Sequence, residues 1–584
     1  MDQRNMVIAI AISIVILIGF QYFGERFYPA PTVPAKTAPA TNAPAAAPGA
    51  PGAAPSTSAT GAATIMSRAQ ALAEAPRVAI DTPDIKGSIN LLGARFDDLT
   101  LSTYHETIDP KSPEVVLLAP DGTEHPYFVQ SGWIAANPDV KVPGPDTSWT
   151  ASPGPLTPSH PIDLTWDNGA GLKFTQHIAV DENYVFTVTD SVANSSKTPV
   201  TLYPYARARR SGAVPVSSTY SHAGPIAVLG GILYDGGACI FGHILCDDYN
   251  YANVKKAPVT GESTGGWIGF TDLYWLTALI PPQQDAVKTR VKYTNSDGID
   301  SYQADYVGTE QVIKPNGSIA YSSRVFAGAK VVALLDRYER TLGIPRFDHA
   351  IDFGLFYFIT KPIFLALDFF NEWLGNFGLA ILLLTFLIKL VFFPLANKSY
   401  RAMSKMKKLQ PEMQKLREQY GNDKQKINQE MMALYKRVGA NPMAGCLPIV
   451  IQIPVFWSLY KVLYVTIEMR HAPFYGWIHD LSAPDPTTYV NLFGLLPFTP
   501  PHIAALQAFL HIGVWPLIMG LTMFLQQKLN PQPPDPVQAK MFMILPVVFT
   551  FMLAQFPAGL VIYWSWNNLL SIAQQWAIMR RAGT

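Results

Sequence analysis

Long apolar runs alternate with charged or Pro-rich stretches along this chain of 584 residues, and the first apolar run covers residues 6–23. A run of this length is sufficient for a helix to cross a bilayer. Gln21, Tyr22, Phe23, Glu25 and Arg26 are bulky or charged, so this segment lacks the small-x-small pattern at which a signal peptide is cleaved. The pattern therefore predicts an uncleaved signal anchor at 1–28, the first transmembrane helix.

Residues 29–75 are rich in Ala, Pro, Thr and Gly. A stretch of this composition cannot bury enough apolar area to offset its chain entropy, so we expect a disordered linker. Because it follows the anchor, the linker would tether the next domain to the membrane.

Residues 76–335 have a different pattern, in which short runs of alternating apolar and polar residues are separated by turn residues. Examples are LKFTQHIAV at 172–180 and YVFTVTD at 184–190, and Asp167-Asn168-Gly169 is one of the turn signals. Alternation with a period of two is typical of half-buried strands. No helical crossover is predicted between the runs, so we expect a large antiparallel β-sandwich.

The pattern changes again near residue 350. The apolar stretch 353–370 is interrupted by polar residues, and Lys361, Asp368 and Glu372 are spaced so that they share one face of a helix. A helix of this kind lies in the membrane interface more readily than it crosses the membrane. We therefore predict a linker helix and an interfacial amphipathic helix at 336–375.

Further apolar runs follow, each long enough to form a transmembrane helix. We predict these helices at 376–396, 441–467, 513–530, 540–556 and 558–579. The connecting segments are a cytoplasmic helical hairpin at 397–440, a periplasmic loop at 468–512, a cytoplasmic loop at 531–539 and a short cytoplasmic tail at 580–584. The predicted fold class is a polytopic α-helical membrane protein with six transmembrane helices, five of them forming a core, and a large all-β domain.

The charge pattern fixes the predicted orientation. The segment 398–437 contains eleven Lys and Arg residues against four acidic residues, and such loops stay in the cytoplasm. Six crossings then put Arg4 and Arg580 in the cytoplasm and the β domain on the periplasmic side. If residues 353–370 also crossed, the basic segment would lie outside, so we reject a seventh crossing.

The bulk composition agrees with a membrane protein. Only 15% of the residues are charged and 49% are hydrophobic, whereas soluble domains carry about 25% charged residues. The net charge of +1 gives no overall basic excess, which argues against a nucleic-acid partner.

Lys389 lies within the apolar run LLLTFLIKLVFFPLA, and Thr385 lies one turn before it on the same helical face. An ionisable residue inside a transmembrane helix usually faces protein, water or a partner. The alternative is that the long Lys389 side chain reaches the nearby cytoplasmic interface and has no further function.

The last predicted helix carries a stripe of uncharged polar side chains. Tyr563, Asn567, Ser571 and Gln574 follow one face, Asn568 and Gln575 flank it, and Gln452 lies in the middle of another predicted helix. Such groups are costly to expose to lipid tails. One interpretation is that they bond neighbouring helices. The other, which we favour, is that they line a water-filled cavity together with Lys389.

The hairpin has Met and Leu residues at intervals of three and four, which is typical of amphipathic helices. Pro411 should kink its first helix. The predicted contact residues for clients or a targeting factor are Met403, Met406, Lys407, Lys408, Met413 and Met431. A Met-rich surface adapts to varied apolar partners, but the same residues equally suit packing of the two helices against each other.

Cysteine usage and catalytic motifs add little. Cys239 and Cys246 are either a disulfide, which an oxidising periplasm permits, or two free thiols. The sequence has no phosphate-binding, dinucleotide-binding, zinc-protease or serine-hydrolase motif. We therefore expect no catalytic residues, no metal and no cofactor, and a protein that is not an enzyme.

Several stretches together resemble the YidC family, whose relatives include the Oxa and Alb insertases of mitochondria and chloroplasts. They are LLLTFLIKLVFFPLANKSYRAMSKMKKLQPEM, DKQKINQEMMALYK, NPMAGCLPIVIQIPVF, APFYGWIHDLSAPDP and FPAGLVIYWSWNNLLSIAQQ. The resemblance covers residues 350–579 with high specificity and the preceding part more loosely. The large domain before residue 350 is similar to the periplasmic domain of the Gram-negative branch.

The resemblance implies a five-helix core around a hydrophilic groove that is open to the cytoplasm and to lipid. The family's groove cation corresponds to Lys389, its neighbouring threonine to Thr385, its glutamine to Gln452 and its aromatic pair to Tyr563 and Trp564. Two positions depart from the usual pattern, since the cation is commonly Arg and Trp564 replaces a frequent Tyr. Lys keeps the charge but lacks the forked geometry of a guanidinium.

The resemblance also implies a function, a location and partners. We expect an insertase and chaperone of the bacterial inner membrane that acts on membrane-protein clients, alone or with the Sec translocon. The signal recognition particle pathway and the ribosome are further expected partners, and the β domain is expected to be a β-supersandwich that contacts Sec components. The alternative function is a small-solute transporter with a periplasmic binding domain.

Overall fold

The computed structural model describes residues 65–214, 221–235, 249–296, 298–354, 356–421, 423–439, 447–496, 510–530 and 536–581. The predicted signal anchor at 1–28, most of the predicted linker at 29–75 and the Cys239–Cys246 pair lie outside these residues.

The first half of the described chain is built from strands, as the alternating pattern predicted. They are β1 (Arg77–Asp81), β2 (Ile85–Asn90), β3 (Arg95–His105), β4 (Glu114–Leu118), β5 (Tyr127–Ala135), β6 (Thr150–Ala151), β7 (Ile162–Asp167), β8 (Leu172–Val180), β9 (Val185–Asn194), β10 (Val200–Ser211), β11 (Gly224–Leu229), β12 (Ile232–Tyr234), β13 (Val259–Thr264), β14 (Trp267–Thr271), β15 (Trp275–Ile280), β16 (Ala286–Ser296), β17 (Ile299–Val307), β18 (Gln311–Ile313) and β19 (Gly317–Ala329).

These strands form two sheets. The first has the order β1-β2-β3-β5-β10-β17-β16-β13, with β4 paired to β3 and β18 to β10. The second has the order β12-β11-β14-β15-β19-β9-β8-β7-β6. The named strands pair antiparallel; on central strand β10, for example, Arg207 lies opposite Gln130 on one side and Asp305 on the other. The predicted antiparallel sandwich is confirmed.

The core of the sandwich lies between the inner faces of the two sheets. Phe96 of the first sheet contacts Phe186 of the second with ring centroids 5.2 Å apart, and Tyr127 contacts Phe270 at 6.2 Å. Alternate residues along a strand point to the same face, so the apolar positions of the sequence pattern are the ones that meet here. Edge-to-face aromatic pairs of this kind stabilise a core beyond their buried area.

Helices make up most of the remainder. They are α1 (Arg68–Leu72), α2 (Tyr251–Lys256), α3 (Val332–Leu342), α4 (Tyr357–Leu374), α5 (Phe377–Val391), α6 (Phe393–Tyr420), α7 (Lys424–Val438), α8 (Leu447–Val465), α9 (Val514–Leu529), α10 (Pro536–Leu553) and α11 (Ala558–Arg581). Short 3₁₀ turns occur at Phe347–Ala350, Ile467–Met469 and Tyr489–Gly494. The short helices α1 and α2 accompany the sandwich and were not predicted.

The turn between α4 and α5 has a local cause. Gly375 has a φ of 67°, a left-handed conformation that glycine adopts without a steric penalty and that commonly ends a helix. The next residue, Asn376, accepts a hydrogen bond from the Leu379 amide at 3.1 Å, which caps the start of α5. This turn folds α5 back against α4.

The sandwich and the helices share one apolar core. A single cluster of buried residues runs from the sandwich through Val332, Phe353 and Phe364 to Leu463 and Tyr563. Among the described residues no single helix is both long and apolar enough to cross a membrane alone, whereas α5 and α6, bent by 67°, meet that criterion as a pair.

Candidate functional site

A groove lies among helices α5, α6, α8 and α11. It brings together residues that lie far apart in the sequence and that the polar pattern had singled out. The lining residues are Thr385, Ile388, Lys389, Phe392, Leu395, Ala396, Tyr400, Gln452, Val455, Tyr563, Asn567 and Gln574. The groove therefore combines one cation and several amides and hydroxyls with apolar walls.

A bend between α5 and α6 shapes one side of the groove. The two helices meet at 67° around Phe392, and Pro394 lies in the first turn of α6, where its missing N–H breaks no helical bond. By contrast, α6 continues as one helix through Pro411, where the sequence predicted a kink. The bend thus occurs beside Pro394, in the first turn of α6, and not at Pro411.

Lys389 is tied to the opposite side of the groove. Its Nζ donates a hydrogen bond to Ser571 Oγ at 2.7 Å, and the Ser571 hydroxyl donates to the backbone oxygen of Asn567, also at 2.7 Å. The buried Thr385 hydroxyl donates to the Ile381 carbonyl at 2.6 Å. The Lys389 side chain therefore points into the groove and makes a specific contact there.

Tyr400 is a lining residue that the sequence did not single out. It lies two turns into α6, beyond the bend of 67° at Phe392, so the helical stripe of Thr385 and Lys389 on α5 did not indicate it. Burial raises the pKa of Tyr400, with a smaller opposing effect from a hydrogen bond with Ser571. The phenol consequently stays protonated at neutral pH.

A second polar contact crosses the groove between α8 and α11. Gln452 Nε2 donates to the Tyr563 hydroxyl at 3.3 Å. Both residues line the groove, as the resemblance implied, and Tyr563 is buried. The contact links α8 to the first half of α11.

The polar stripe of α11 divides into two sets. Asn567 and Gln574 face the groove, whereas Asn568 Nδ2 donates to Thr522 Oγ1 and Gln575 Nε2 donates to the Leu529 carbonyl, each at 3.2 Å. Both interpretations of the stripe therefore apply, because one set faces the cavity and the flanking set bonds α9.

Trp564 does not line the groove in the part of the chain that the structure describes. Its ring packs against Phe456 and Phe549, with centroids 4.8 Å and 5.9 Å away. Adjacent residues on a helix point about 100° apart, and here Tyr563 lines the groove while the Trp564 ring packs between α8 and α10. The resemblance paired the two residues in the groove, and the described lining contains only Tyr563 of the pair.

The predicted hairpin is formed by α6 and α7. Leu409, Met413, Leu434 and Tyr435 are buried between the two helices, with Met406 and Met431 packed beside them. Met413 is a packing residue because the Tyr435 hydroxyl donates to its sulfur at 3.6 Å. Met403 and Lys407 are partly exposed and Lys408 is exposed, so the outward surface of the hairpin is mainly basic.

Helix α4 is tied by charge to the segment that precedes it, through Asp336 of α3 and Asp348 of the following 3₁₀ turn. Lys361 Nζ lies 2.8 Å from Asp336 Oδ1 and 2.5 Å from Asp348 Oδ2. The two carboxylates raise the pKa of Lys361 against the opposing effect of burial. Hydrogen bonds with His349, Lys361 and Tyr357 lower the pKa of Asp348, again against the effect of burial. The Lys361 side chain therefore points toward these carboxylates.

Lys461 is a buried cation that the sequence reading missed. It lies within the predicted helix 441–467, and its Nζ pairs with Asp352 Oδ2 at 2.8 Å. The rule that singled out Lys389, an ionisable residue inside an apolar run, would have found it. Because Lys461 already has an acidic partner, it is a structural contact of the helix end.

The described residues include no cluster of three or more His, Cys, Asp or Glu side chains that could hold a metal ion. Their polar groups instead converge on the groove around Lys389. An antiparallel sandwich joined to helices that enclose such a groove is the architecture that the sequence predicted for an inner-membrane insertase.

Comparisons with known proteins agree with this class. Residues 369–584 match the family model described as 60Kd inner membrane protein, and residues 77–366 match that described as YidC periplasmic domain. Membrane protein insertase YidC of Granulibacter bethesdensis is 52% identical over 592 residues, covering 100% of this chain and 98% of that protein. The protein of the same name from Rhizobium meliloti is 49% identical over 593 residues, covering 100% and 96%.

The chain therefore belongs to the YidC family, a family of bacterial inner-membrane proteins with a periplasmic domain. It is also similar to a crystal structure described as an active YidC insertase with the first transmembrane domain resolved, at 17% identity and a TM-score of 0.35, covering 85% of this chain and 91% of that one. The relatives carry the name insertase, which gives the transporter alternative no support.

Proposed function

We propose that this membrane protein insertase receives a hydrophilic client segment in the groove around Lys389. The observation that carries the proposal is the convergence of Thr385, Lys389, Gln452 and Tyr563 on one cavity. These groups would replace part of the water around a client segment, so the segment crosses a shorter distance of hydrocarbon. No covalent bond forms or breaks in this process.

The charge of Lys389 favours clients whose translocated segment is acidic. Charge attraction is stronger where the effective dielectric constant is below that of water. Ser571 holds the ammonium through an uncharged hydroxyl acceptor, whereas a client carboxylate would add the attraction of an opposite charge to the hydrogen bond and is therefore the stronger acceptor. A carboxylate entering the groove would therefore displace Ser571.

The apolar walls of the groove suit the adjoining apolar helix of a client. Ile388, Phe392 and Val455 belong to the lining. We propose that the client helix leaves sideways into lipid beside α8 and α10. Transfer of apolar surface out of water is favourable by about 25 cal/mol per Å², and this partitioning drives insertion.

The proposed topology places α5, α8, α9, α10 and α11 across the bilayer, with the anchor at 1–28 as the sixth crossing. Both termini and the α6–α7 hairpin then lie in the cytoplasm, and the sandwich lies in the periplasm. The excess of Lys and Arg in 398–437 supports this orientation.

The hairpin is the proposed contact for targeting factors. Its exposed residues include Arg401, Lys405, Lys408 and the apolar Met432. A mixed basic and apolar surface suits signal recognition particle components or the ribosome, and the sandwich is the proposed contact for Sec components. No cofactor is needed for these steps.

A photo-crosslinking experiment tests the groove proposal. A photoreactive phenylalanine analogue replaces Gln574, which lines the groove, or Trp576, which is two residues further on the same helix and 57% exposed. A client stalled during insertion should crosslink from position 574 and not from 576. Equal crosslinking from both positions, or crosslinking from 576 alone, would contradict a path through the groove.

A further inference from the structure

A second apolar surface lies far along the chain from the groove-lining residues, in the predicted loop 468–512. Residues 489–496, named here the apolar turn, expose a group of large apolar side chains, including Leu495 at 83% and Leu492 at 53%. The others are Tyr489, Phe493 and Leu496. A contiguous group of this kind marks an interaction surface.

The apolar turn is held in place at its base. Thr488 Oγ1 donates to the Leu510 carbonyl at 2.5 Å, and the Tyr489 amide donates to the Ile512 carbonyl at 3.2 Å. Asp485 Oδ2 accepts from the Trp515 amide at 2.9 Å. The chain therefore leaves and returns at the first turn of α9, and the position of the apolar turn relative to that helix is fixed.

The backbone of the apolar turn is strained at the residues that carry apolar side chains. Leu492 and Phe493 have φ values of 52° and 58°. Hydrogen bonds inside the turn hold this conformation, from the Phe493 amide to the Thr488 carbonyl at 2.7 Å and from the Gly494 amide to Asn491 Oδ1 at 2.9 Å. The turn therefore has a defined backbone that presents the Leu492 and Phe493 side chains outward.

The sequence around the apolar turn indicates the chemistry of the surface that it would contact. Between Asp485 and Lys528 the chain contains no Asp, Glu, Lys or Arg. A surface for a charged or strongly hydrated partner would require such groups. A charge-free, aromatic and aliphatic surface is instead typical of contact with lipid chains near the interface.

The length of α9 supplies an independent reason. With 16 residues, α9 is about 24 Å long, whereas the hydrocarbon core is about 30 Å thick. Its Leu517, Leu521 and Leu525 form one exposed apolar stripe. An apolar turn fixed at the periplasmic end of this stripe would occupy the part of the hydrocarbon core that α9 does not span.

We propose that the apolar turn is immersed in the outer leaflet of the membrane and extends the lipid-facing surface of α9. This inference rests on the proposed membrane placement of α9 and goes beyond the groove. Immersion of the turn would fix the depth of the periplasmic end of α9.

The test uses the full-length protein in lipid vesicles, with an environment-sensitive fluorescent amino acid at one position. Leu495 reports on the apolar turn, Leu521 on α9, and Val312, a 55% exposed residue of the sandwich, serves as the aqueous control. Quenching is measured with lipids brominated on their acyl chains and, separately, with iodide in the water. We expect brominated lipid to quench positions 495 and 521 at least twofold more than position 312, and iodide to quench position 312 alone.

Three results would overturn the inference. If position 521 is quenched by brominated lipid while position 495 behaves like 312, the turn lies in water although α9 is in lipid. If position 495 is shielded from both quenchers, protein covers it. If neither 495 nor 521 is quenched by brominated lipid, the membrane placement of α9 is wrong as well, an outcome that separates failure of the proposed topology from failure of the turn alone.

Discussion

Lys389 and Ser571, separated by 182 positions in the sequence, meet across the groove through a hydrogen bond of 2.7 Å. The ammonium thus has an uncharged hydrogen-bond partner within the protein. Ser571 in turn donates to the Asn567 carbonyl, so its hydroxyl is oriented to accept from Lys389. The contact makes Ser571 a competitor of any client carboxylate.

Replacing Ser571→Ala should strengthen binding of an acidic client segment. The bond from the Lys389 ammonium has a charged donor, and hydrogen bonds of this kind contribute about 1.5 kcal/mol or more, which corresponds to about tenfold in affinity. The measurement is a titration of the reconstituted protein with a fluorescent client peptide that carries Asp residues in its translocated segment. A matched peptide with Asn at those positions should bind equally to both proteins; an equal change for both peptides would mean that Ser571 does not compete for the charge.

Trp564 and Tyr563 should differ in what they contribute to stability. Trp564→Ala removes a large ring packed against Phe456 and Phe549 and should lower the free energy of unfolding by about 3–5 kcal/mol. Tyr563→Phe removes only the acceptor of the Gln452 hydrogen bond and should cost about 1 kcal/mol. Denaturant unfolding in detergent measures both losses of stability. A larger loss in Tyr563→Phe than in Trp564→Ala would contradict the assigned faces of α11.

Glu468 should make stability depend on pH. Its Oε1 accepts from the Val332 amide at 2.8 Å, at the start of α3, while its buried Oε2 has no hydrogen-bond partner among the described residues. Burial raises the pKa of Glu468 from 4.5 to about 7. The folded state therefore holds a proton that the unfolded state releases between these two values, so stability falls as pH rises from about 4.5 to 7.

The matched variant is Glu468→Gln, which keeps an acceptor for the Val332 amide and removes the titration. The melting temperatures of wild type and variant are measured from pH 4.5 to 8. The melting temperature of the variant relative to wild type should increase as pH rises and stop increasing above about pH 7. A difference that is constant across this range would contradict the raised pKa of Glu468.

Arg470 should hold the sandwich against the helical part of the chain. Its guanidinium donates to the backbone oxygen of His105 at 2.7 Å and lies over the rings of Tyr274 and Trp275. Arg470→Ala should weaken this junction by about 1.5–3 kcal/mol, the range for hydrogen bonds to charged groups. The readout is the rate of limited proteolysis, which should rise in the variant and rise less in Arg470→Lys; unchanged proteolysis in Arg470→Ala would contradict the contact.

Local pattern predicted the parts of the molecule that depend on local rules. The alternation at 172–180 became β8 because alternate side chains of a strand point to one core. The stripe at Tyr563, Asn567 and Gln574 faces the groove for the equivalent reason in a helix. A pattern of this kind indicates which face of a strand or helix is buried.

The sequence pattern did not indicate which residues a buried face contacts. Met413 was equally consistent with a client surface and with helix packing, and its neighbour across the hairpin, Tyr435, decided the matter. Arg470 and His105 lie 365 positions apart, and the sequence around each residue does not indicate that they are in contact. The family pattern pairs Trp564 with Tyr563, but the Trp564 ring packs against Phe456 and Phe549, two residues that its own sequence surroundings do not indicate.

The central claim is that Lys389 attracts acidic client segments into the groove, and reconstitution in vesicles without Sec components tests it most directly. A client with an acidic translocated tail, or with the same tail carrying Asn, is added to wild type, Lys389→Ala and Lys389→Arg, and protease protection of the tail is scored. Two unit charges 4 Å apart at an effective dielectric constant of 20 attract by about 4 kcal/mol before desolvation. Protection of the acidic tail should therefore fall at least about tenfold in Lys389→Ala and persist in Lys389→Arg, with the Asn tail unaffected. Undiminished protection of the acidic tail in Lys389→Ala would contradict the claim.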